Sequence, residues 1–417
     1  MKILIYGINY SPELTGVGVY TSGMTKWLAS KNHECRVITA HPYYPEWKIQ
    51  KDYNPWLYTK ETNENITVFR CPLWIPKKPN TLSRVLHLAS FMLSSLPVLI
   101  RNSLWKPNII LCIEPTFICT PQALIFAKLT GTKSWLHIQD FEIDAMHQLG
   151  FLVNNRILKK AMLFVERLIM KNFSRVSSIS NTMCLLSQKK GVSPDTSIFF
   201  PNWTDVSFMV PKLDSTKFRE TWGFNAETKI VLYSGNIGKK QGLDIILDIA
   251  NDFRDSPKIQ FIIVGDGVHK SELVLRTENE KLDNVHFFPL QPYHMLPDLL
   301  SIADIHLVIQ KKGAADIVMP SKVANIFSAG GHAIITTEES TELGQLVINN
   351  PGIATLVPAE NAGALSVAIQ RIFSDTEYQN VLYNKVARKY AEEKLSSDAI
   401  LNQFKKDLHA CVNDTNK

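Results

Sequence analysis

The chain contains two successive series of parallel-sheet strands, and each series opens with a strand that runs into a glycine-containing turn. The first strand, Lys2–Tyr6, leads into a turn that contains Gly16 and Gly18. The second, Ile230–Tyr233, leads into Ser234–Gly242. Open parallel sheets bind their ligands at the carboxyl ends of the strands. The pattern predicts two domains that face an interdomain cleft, as suits an enzyme with two substrates.

Short runs rich in Val, Ile and Phe recur along the chain, and several are apolar without alternation, which is typical of strands buried on both faces. The first series is predicted at 2–6, 34–39, 66–71, 109–113, 134–138, 176–179 and 198–200. The second is predicted at 230–233, 260–264, 285–288, 305–309, 333–336 and 355–357. Helical patterns lie between them, as at Thr21–Ser30 and Ile157–Asn172. This βαβ order predicts α/β domains with doubly wound sheets.

The length of the chain and a break in the strand pattern predict the domain boundaries. A chain of 417 residues is too long for one ordinary core. The strand pattern breaks at Pro201–Asp205, and a polar stretch follows from Lys212 to Thr228. We therefore expect an N-terminal Rossmann-like domain over 1–205 and a C-terminal one over 206–395. Residues 396–417 read as a final helix.

Charge and cysteine usage narrow the class of protein. The net charge of +6 and the pI near 8.8 are mild, so they give no argument for nucleic acid and fit acidic small molecules or an anionic membrane. The six cysteines form no CxxC pair, which favours free thiols in a reducing compartment. The apolar start is too short for a signal peptide. These features predict a cytoplasmic protein.

One segment raises the question of a membrane. Val85–Ile100 contains no charged residue, is bracketed by Arg84 and Arg101, and holds Pro97. It is shorter than the roughly 20 apolar residues of a spanning helix. Basic and aromatic residues surround it, namely Trp74, Lys77, Lys78, Trp105 and Lys106. Two interpretations stay open: a buried crossover helix, or a helix in the interface at the inner face of the membrane.

Two lysine-containing turns in the second domain are candidates for an anion site. Gly235 and Gly238 permit unusual backbone conformations, and a helix predicted from Gln241 would direct amide donors at an anion. Lys240 is the better candidate for the ion partner, with Lys239 beside it. The alternative is an ordinary βα turn with solvated lysines.

The second turn is Pro320-Ser321-Lys322. Proline is favoured at the first position of a helix, so Lys322 falls in the first turn, where the helix dipole disfavours a cation. The placement is explained if an anion such as a diphosphate binds there. The alternative is a surface lysine that tolerates a small penalty.

The first domain also contains residues that are candidates for contacts with a substrate. Gly16 and Gly18 would let the backbone approach a ligand, but they lack the dinucleotide-binding spacing, which makes a dehydrogenase the least favoured class. The predicted strand over 134–138 contains His137, and Asp140 lies just past its end. Asp140, His137 and Glu142 are candidates to bind acceptor hydroxyls, although a histidine inside a strand is more often a core residue. No metal-binding motif is present, so we expect no metal and no cofactor.

Taken together, these segments resemble the retaining GT4 family of GT-B-fold glycosyltransferases. Within it they are similar to the WcaI-like colanic-acid (exopolysaccharide) glycosyltransferases, described as fucosyltransferases. The resemblance rests on residues 6–18, 41–45, 136–140, 199–203, 233–238 and 320–322. It implies a nucleotide-sugar donor, plausibly GDP-fucose, and a lipid-diphosphate-linked saccharide acceptor at the inner face of the membrane. It also implies that the last helix packs back on the first domain.

The resemblance also assigns roles by position. The donor-site residues it implies are Gly16, Gly18, Gly235, Asn236, Lys240, Leu290, Pro320, Ser321, Lys322, Asn325 and Glu342. Asp140 and His137 would lie at the reacting hydroxyl, with Lys322 at the diphosphate. The chain departs from the family where many members carry E-x7-E, because Asn325 stands at the second glutamate. Asn236 and Gln241 replace the usual Arg–Lys pair.

The sequence leaves two other classes of protein open. A nucleotide-sugar 2-epimerase shares the two-domain fold and needs no membrane acceptor. A non-catalytic polysaccharide- or lipid-binding protein would explain the departures from E-x7-E as the loss of a catalytic site.

Overall fold

The computed structural model describes residues 1–13, 16–44, 46–77, 81–141, 156–211, 216–312, 321–375 and 381–414. These residues divide into two compact units. The first comprises Met1–Pro201 and the residues from Leu401 onward, and the second comprises Asn202–Ile400. Each unit is an α/β layer structure built on its own sheet.

The first unit contains an eight-stranded sheet in the order β3-β4-β2-β1-β5-β6-β7-β8. The strands are β1 (Lys2–Tyr6), β2 (Glu34–Ala40), β3 (Thr59–Asn63), β4 (Ile66–Cys71), β5 (Ile109–Glu114), β6 (Lys133–Ile138), β7 (Arg175–Ser178) and β8 (Ser197–Phe199). All are parallel except β3, which pairs antiparallel with β4 at the edge. The polar sequence Thr59-Lys-Glu-Thr-Asn63 gave no strand signal, because this strand is mostly exposed and neighbouring β4 supplies its pairing.

The helices of the first unit lie on the two faces of this sheet. They are α1 (Val17–Ser30), α2 (Thr81–Asn102), α3 (Thr120–Thr130), α4 (Arg156–Met170), α5 (Asn181–Lys189) and α14 (Ser397–Asn413), which enters this unit at Leu401. Helix α1 begins four residues before the predicted Thr21, because Gly16 adopts φ 64° and starts the helix without a side-chain cap.

Two core residues identify the faces. Tyr6 hydrogen-bonds Ser95 of α2 at 2.7 Å and donates to Gln122 of α3 at 2.8 Å. Ile5, Leu111 and Trp135 are paired across β1, β5 and β6. Paired residues of parallel strands point to the same side, and neighbours along a strand to opposite sides, so Trp135 lies on the face away from Tyr6.

The face that carries Trp135 is covered by the last helix. The ring of Trp135 contacts that of Phe404 on α14 at 5.3 Å, and Phe200 stacks on Phe404 at 3.9 Å. We call this side the α14 face. Right-handed crossovers that run in one direction across a sheet fall on one side, so α2, α3, α4 and α5 share the opposite side, which we call the α2 face.

Helix α2 has features of both interpretations given for its sequence, the crossover helix and the helix at a membrane. Residues Ser83–Trp105 form, among the described helices, one that is long and apolar enough to cross a membrane by length and composition, with a mean hydropathy of 1.4. However, its flanking strands β4 and β5 belong to one sheet, so α2 is a crossover helix. Phe91 and Leu99 pack against the sheet, whereas only 22% of the most apolar window is buried.

The second unit contains a six-stranded parallel sheet in the order β11-β10-β9-β12-β13-β14. The strands are β9 (Lys229–Ser234), β10 (Ile259–Val264), β11 (Val285–Phe288), β12 (Ile305–Ile309), β13 (Ala333–Thr336) and β14 (Thr355–Val357). Each matches a predicted strand to within a residue at either end. Two apolar clusters, one on each side of this sheet, form its core, as expected of strands buried on both faces.

The helices of the second unit connect these strands. They are α6 (Thr216–Thr221), α7 (Asp244–Asp252), α8 (Lys270–Glu280), α9 (Leu296–Ser301), α10 (Ser321–Ser328), α11 (Glu342–Asn349), α12 (Ala362–Ser374) and α13 (Lys385–Tyr390). Helix α10 occupies the predicted position. Helix α7 begins at Asp244 rather than near Gln241, because Gly242 adopts a left-handed conformation, φ 72°, after one 3-10 turn over Lys239–Gln241.

Candidate active site

The candidate donor site is built on two interlocked turns at the carboxyl ends of β9 and β10. The amide of Gly235 donates to the carbonyl of Val264 at 2.9 Å, and the amide of Ile237 donates to that of Asp266 at 2.8 Å. Gly265 has φ +155° and Gly267 has φ +153°. A Cβ at Gly265 would collide with the carbonyl oxygen of Gly235. The close approach of the two turns therefore requires glycine on the β10 side.

Lys322 lies against this pair of turns. Its Nζ donates to the hydroxyl of Tyr233 at 3.1 Å and lies 4.2 Å from the ring centroid. The same hydroxyl donates to the carbonyl of Asn236 at 2.7 Å, which fixes its orientation. Tyr233 is completely buried. Lys322 thus presents its ammonium within 3.8 Å of the position that a Cβ would take at Gly235.

The ammonium of Lys322 has no carboxylate partner within 4.0 Å among the residues that the structure describes. Burial alone lowers the pKa of Lys322 to about 8, because an apolar environment disfavours the charged form. The helix dipole adds to this cost, since Lys322 lies in the first turn of α10. A half-buried cation at a helix N-terminus is the electrostatic arrangement that an anionic ligand would stabilise.

Asn325, one turn further along α10, connects the helix to the segments that join the two units. Its Oδ1 accepts a hydrogen bond from the hydroxyl of Thr204 at 3.0 Å. The backbone of Thr204 pairs with the other connecting segment, donating to Leu395 at 2.9 Å and accepting from Ser397 at 3.0 Å. Arg388 binds the carbonyl of Ser328, at the end of the same helix, at 2.6 Å. Within the second unit, Thr204 therefore links α10 to the segment around Leu395 and Ser397, and Arg388 links α13 to the end of α10.

The lysine pair of the first turn is only partly described. Lys239 forms an exposed ion pair with Glu272 at 3.0 Å, so its ammonium is already paired with a carboxylate. The side chain of Lys240 lies outside the described residues. The first turn of α7 carries Asp244, whose carboxylate bonds His269 at 3.0 Å. The first turn of α7 therefore already carries a carboxylate, which disfavours an anion at the start of this helix.

A cavity of about 340 Å³ opens at the carboxyl end of β12, between the starts of α7 and α12. Its polar lining comprises Gln310, Lys311, Asp244, Asp248 and Glu360. Three carboxylates against one ammonium disfavour a diphosphate there. Among the described residues of the second unit, Lys322 is therefore the better candidate for an anion site.

The other predicted donor residues occupy separate positions. Asn236 is exposed, and its Oδ1 lies near Gly267. Leu290 is exposed in the loop after β11, and Glu342 is the first residue of α11. Pro320, the side chain of Ser321 and Glu142 lie outside the described residues.

In the first unit, the loop before α1 is organised by Glu13, a residue that sequence reasoning did not single out. Its carboxylate is 4% exposed and accepts from the amides of Tyr43 and Tyr44 at 3.2 and 3.1 Å and from Asn9 at 2.9 Å. Burial raises its pKa. A Cβ at Gly18 would lie 2.8 Å from the Glu13 carboxylate, so this glycine admits the buried acid beneath the start of the helix.

His137 and Asp140 differ in accessibility. His137 is 2% exposed, and its ring nitrogens lie 2.9 Å from the Ser177 hydroxyl and 3.1 Å from the Gln139 amide. Burial lowers its pKa to about 3, so the ring is neutral at pH 7. Asp140 is exposed directly beyond β6. Of the two, Asp140 is therefore the side chain that is accessible from solvent.

Arg70 is a second organising residue that sequence reasoning missed. It is 3% exposed, bonds Glu61 at 2.5 Å, and donates to the carbonyls of Ser11 and Ala40 at 2.8 and 3.4 Å. It thereby joins the loops that follow β1 and β2. An arginine inside the apolar run of β4 was the available signal. The described residues contain no group of three or more metal-ligating side chains.

Both halves of the chain match known protein families. Residues 214–389 match the family model described as glycosyl transferases group 1, and residues 15–203 match that of the glycosyl transferase 4-like domain. The chain is 46% identical over 412 residues to the colanic acid biosynthesis glycosyl transferase WcaI of Escherichia coli K12, covering 98% of this chain and 100% of that one. The chain belongs to the GT4 family of GT-B glycosyltransferases.

Solved structures agree with this fold assignment for the glycosyltransferase. Sucrose-phosphate synthase of Thermosynechococcus elongatus superposes with a TM-score of 0.73 at 16% identity, over 98% of both chains. HepE of Anabaena, in complex with UDP and glucose, gives 0.69 at 15% identity over 98% of this chain and 100% of that one. WaaG, a glycosyltransferase of lipopolysaccharide biosynthesis, gives 0.66 at 14% identity over 99% and 100%.

Proposed function

We propose that this glycosyltransferase moves a sugar from a nucleotide diphosphate donor to a lipid-linked exopolysaccharide intermediate, with retention of configuration. The observation that carries the proposal is the ammonium of Lys322. It is half-buried, lacks a described carboxylate partner and lies beside the Gly235 turn. A phosphate oxygen bound there would satisfy the cation and the start of α10 together.

The physical role of Lys322 follows from the charge that develops in the reaction. Breaking a sugar–phosphate bond leaves negative charge on the departing diphosphate. A fixed ammonium in a site of low polarity stabilises that charge without reorganising during the reaction. Tyr233 holds the ammonium in place through the 3.1 Å hydrogen bond. We accordingly assign Lys322 to the leaving group and Gly235 and Asn236 to its immediate surroundings.

The pathway is proposed from the relative, and the sugar from the sequence motifs. WcaI carries colanic acid biosynthesis in its name, and the identity of 46% extends over nearly the whole of both chains. We therefore propose a colanic-acid-like exopolysaccharide as the product. Fucose, from GDP-fucose, is proposed as the transferred sugar on the family resemblance of the sequence motifs. Gly16 and Gly18 are proposed to lie beside the diphosphate of the donor and Asp140 to serve the acceptor. Leu290, Asn325 and Glu342 are proposed to serve the nucleotide.

The acceptor hydroxyl is assigned to Asp140, whereas His137 is given a positioning role, because its ring is enclosed between Ser177 and Phe200. A lipid-linked acceptor also requires an enzyme that reaches the membrane. Helix α2 favours this, since Leu86, Leu93 and Ile100 are exposed along one side of it.

The test of the proposed function is a thermal-shift series with UDP, GDP, ADP and their sugars. We expect GDP and GDP-fucose to raise the melting temperature, because a ligand that binds only the folded state stabilises it. A shift with UDP alone would exclude GDP-fucose. The absence of a shift with every nucleotide would overturn the assignment of a donor site at Lys322.

Asp140→Asn is expected to reduce transfer to the acceptor by about 10²-fold or more, as expected for loss of an acid–base group. Nucleotide binding, measured by calorimetry, should stay at the wild-type value because Asp140 lies in the other unit from Lys322. Wild-type transfer by Asp140→Asn would remove this residue from the site.

A further inference from the structure

The exposed apolar residues of the first unit are concentrated on the α2 face. Among the described side chains, the four helices of that face expose eleven large apolar residues, whereas α1 and α14 on the other face expose one, Val19. The eleven are Val85, Leu86, Leu93, Leu96, Ile100, Ile125, Leu129, Phe164, Val165, Leu168 and Leu185. Scattered apolar residues are normal on a surface, but this asymmetry between the two faces is not.

The outward positions follow helical spacing. Leu86, Leu93 and Ile100 recur every seven residues along α2, and Ile125 and Leu129 are four apart on α3. Phe164 and Leu168 are four apart on α4. Side chains at these spacings lie on one side of a helix. Three of the four helices therefore present an apolar stripe away from the sheet.

The charges on these helices are predominantly positive. Together α2, α3, α4 and α5 contain eight lysines and arginines and one acid, Glu166. This gives a net charge of +7, which exceeds the +6 of the whole chain. Glu166 is 3% exposed and paired with Lys190 at 2.6 Å, so the described outer side of these helices exposes no acid.

We propose that the whole α2 face, including α3 and α4, is the surface by which this protein binds an anionic lipid bilayer. Apolar stripes framed by lysine and arginine suit the boundary between acyl chains and headgroups, and the cations are attracted to anionic lipid. A protein partner of ordinary composition would require acids to match. The inference rests on the proposed lipid-linked acceptor, and it extends the contact beyond α2 to a broad helical layer.

The first experiment measures sedimentation of the full-length protein with vesicles of phosphatidylethanolamine and phosphatidylglycerol. Wild-type protein should bind these vesicles, release at high salt, and bind phosphatidylcholine vesicles weakly. Two double variants, L129S with F164S and K128E with K160E, should each bind about tenfold more weakly or worse. All four positions are exposed and lie outside α2.

Matched controls separate this face from general surface effects. L275S with V367S removes exposed apolar residues of the second unit, and K406E reverses an exposed charge on α14 of the opposite face. Both controls should bind as the wild type does. Equal binding by the test variants and the controls would overturn the proposal, as would wild-type protein that binds neither vesicle or binds both equally.

The nucleotide thermal shift, measured on the same preparations, distinguishes this proposal from the proposed function. A retained nucleotide shift together with failed vesicle binding overturns the membrane face alone. Loss of the shift with retained vesicle binding overturns the donor site alone. If size-exclusion chromatography shows a dimer that L129S with F164S converts to a monomer, and no vesicle binding, then a second copy covers the face and the proposal is wrong.

Discussion

Replacing Lys322 with methionine should lower turnover by about 10²–10³-fold, the effect of removing one fixed group that stabilises a developing negative charge. The same variant should raise the stability of the ligand-free protein by about 2 kcal/mol at pH 7, because the wild type pays for a cation whose pKa burial lowers from 10.5 to about 8. Steady-state kinetics and thermal melts measure the two effects. Their opposite signs distinguish a binding residue from a structural one.

The pH dependence gives an independent check on Lys322. In the free protein the ammonium is present below pH 8 and is lost as the pH rises through its folded pKa of about 8. Donor affinity should then fall by up to about tenfold per pH unit above 8, since binding must take up a proton. The stability of the ligand-free protein changes with pH in the opposite direction. The destabilisation caused by the buried cation is complete below pH 8, and it disappears as the pH rises toward 10.5.

Two controls accompany these measurements. Lys322→Met should show no such fall in nucleotide affinity above pH 8, and its stability gain should shrink at pH 10. Lys239→Met removes a neighbouring lysine that is paired with Glu272 on the surface, and its turnover should change little. Equal losses in both variants would show that net charge, rather than the position of Lys322, is responsible.

Replacing Gly265 with alanine should lower the free energy of unfolding by about 3 kcal/mol or more. Two effects combine: φ +155° is strained for any residue with a Cβ, and the added atom would collide with the carbonyl oxygen of Gly235. Chemical denaturation measures the loss. At temperatures where the variant is still folded, the nucleotide shift should also be lost, because the displaced turn is the one beside Lys322.

Gly223→Ala is the matched control for this prediction. Gly223 also has a positive φ, +77°, but nothing lies within 4 Å of the position of its Cβ. In Gly223→Ala, backbone strain alone should lower the free energy of unfolding by about 1–2 kcal/mol, and nucleotides should still raise the melting temperature. A loss of the same size in both variants would mean that backbone strain, and not the contact between the turns, decides the effect.

The residues of the site differ in how far local sequence could identify them. The position of Lys322 in the first turn of a helix was predicted because proline is favoured at the start of a helix and so fixes the position of the lysine. Glu13, Arg70 and Gly265 were missed, because each acts on a segment distant in sequence: Glu13 on Tyr43, Arg70 on Ala40, and Gly265 on Gly235. Nothing near these residues in the chain reports such contacts.

Local sequence was sufficient to predict the two parallel sheets and the positions of nearly all their strands, because strands buried on both faces must be continuously apolar and the turns between them need glycine, proline or polar residues. It was also sufficient to predict that Lys322 falls in the first turn of a helix. The tertiary structure alone decided that Tyr233 holds this lysine in a desolvated position and that His137 is enclosed. It also decided that the apolar and basic residues of four helices share one face. These properties depend on which segments meet across the fold, and a linear pattern carries no distances between segments.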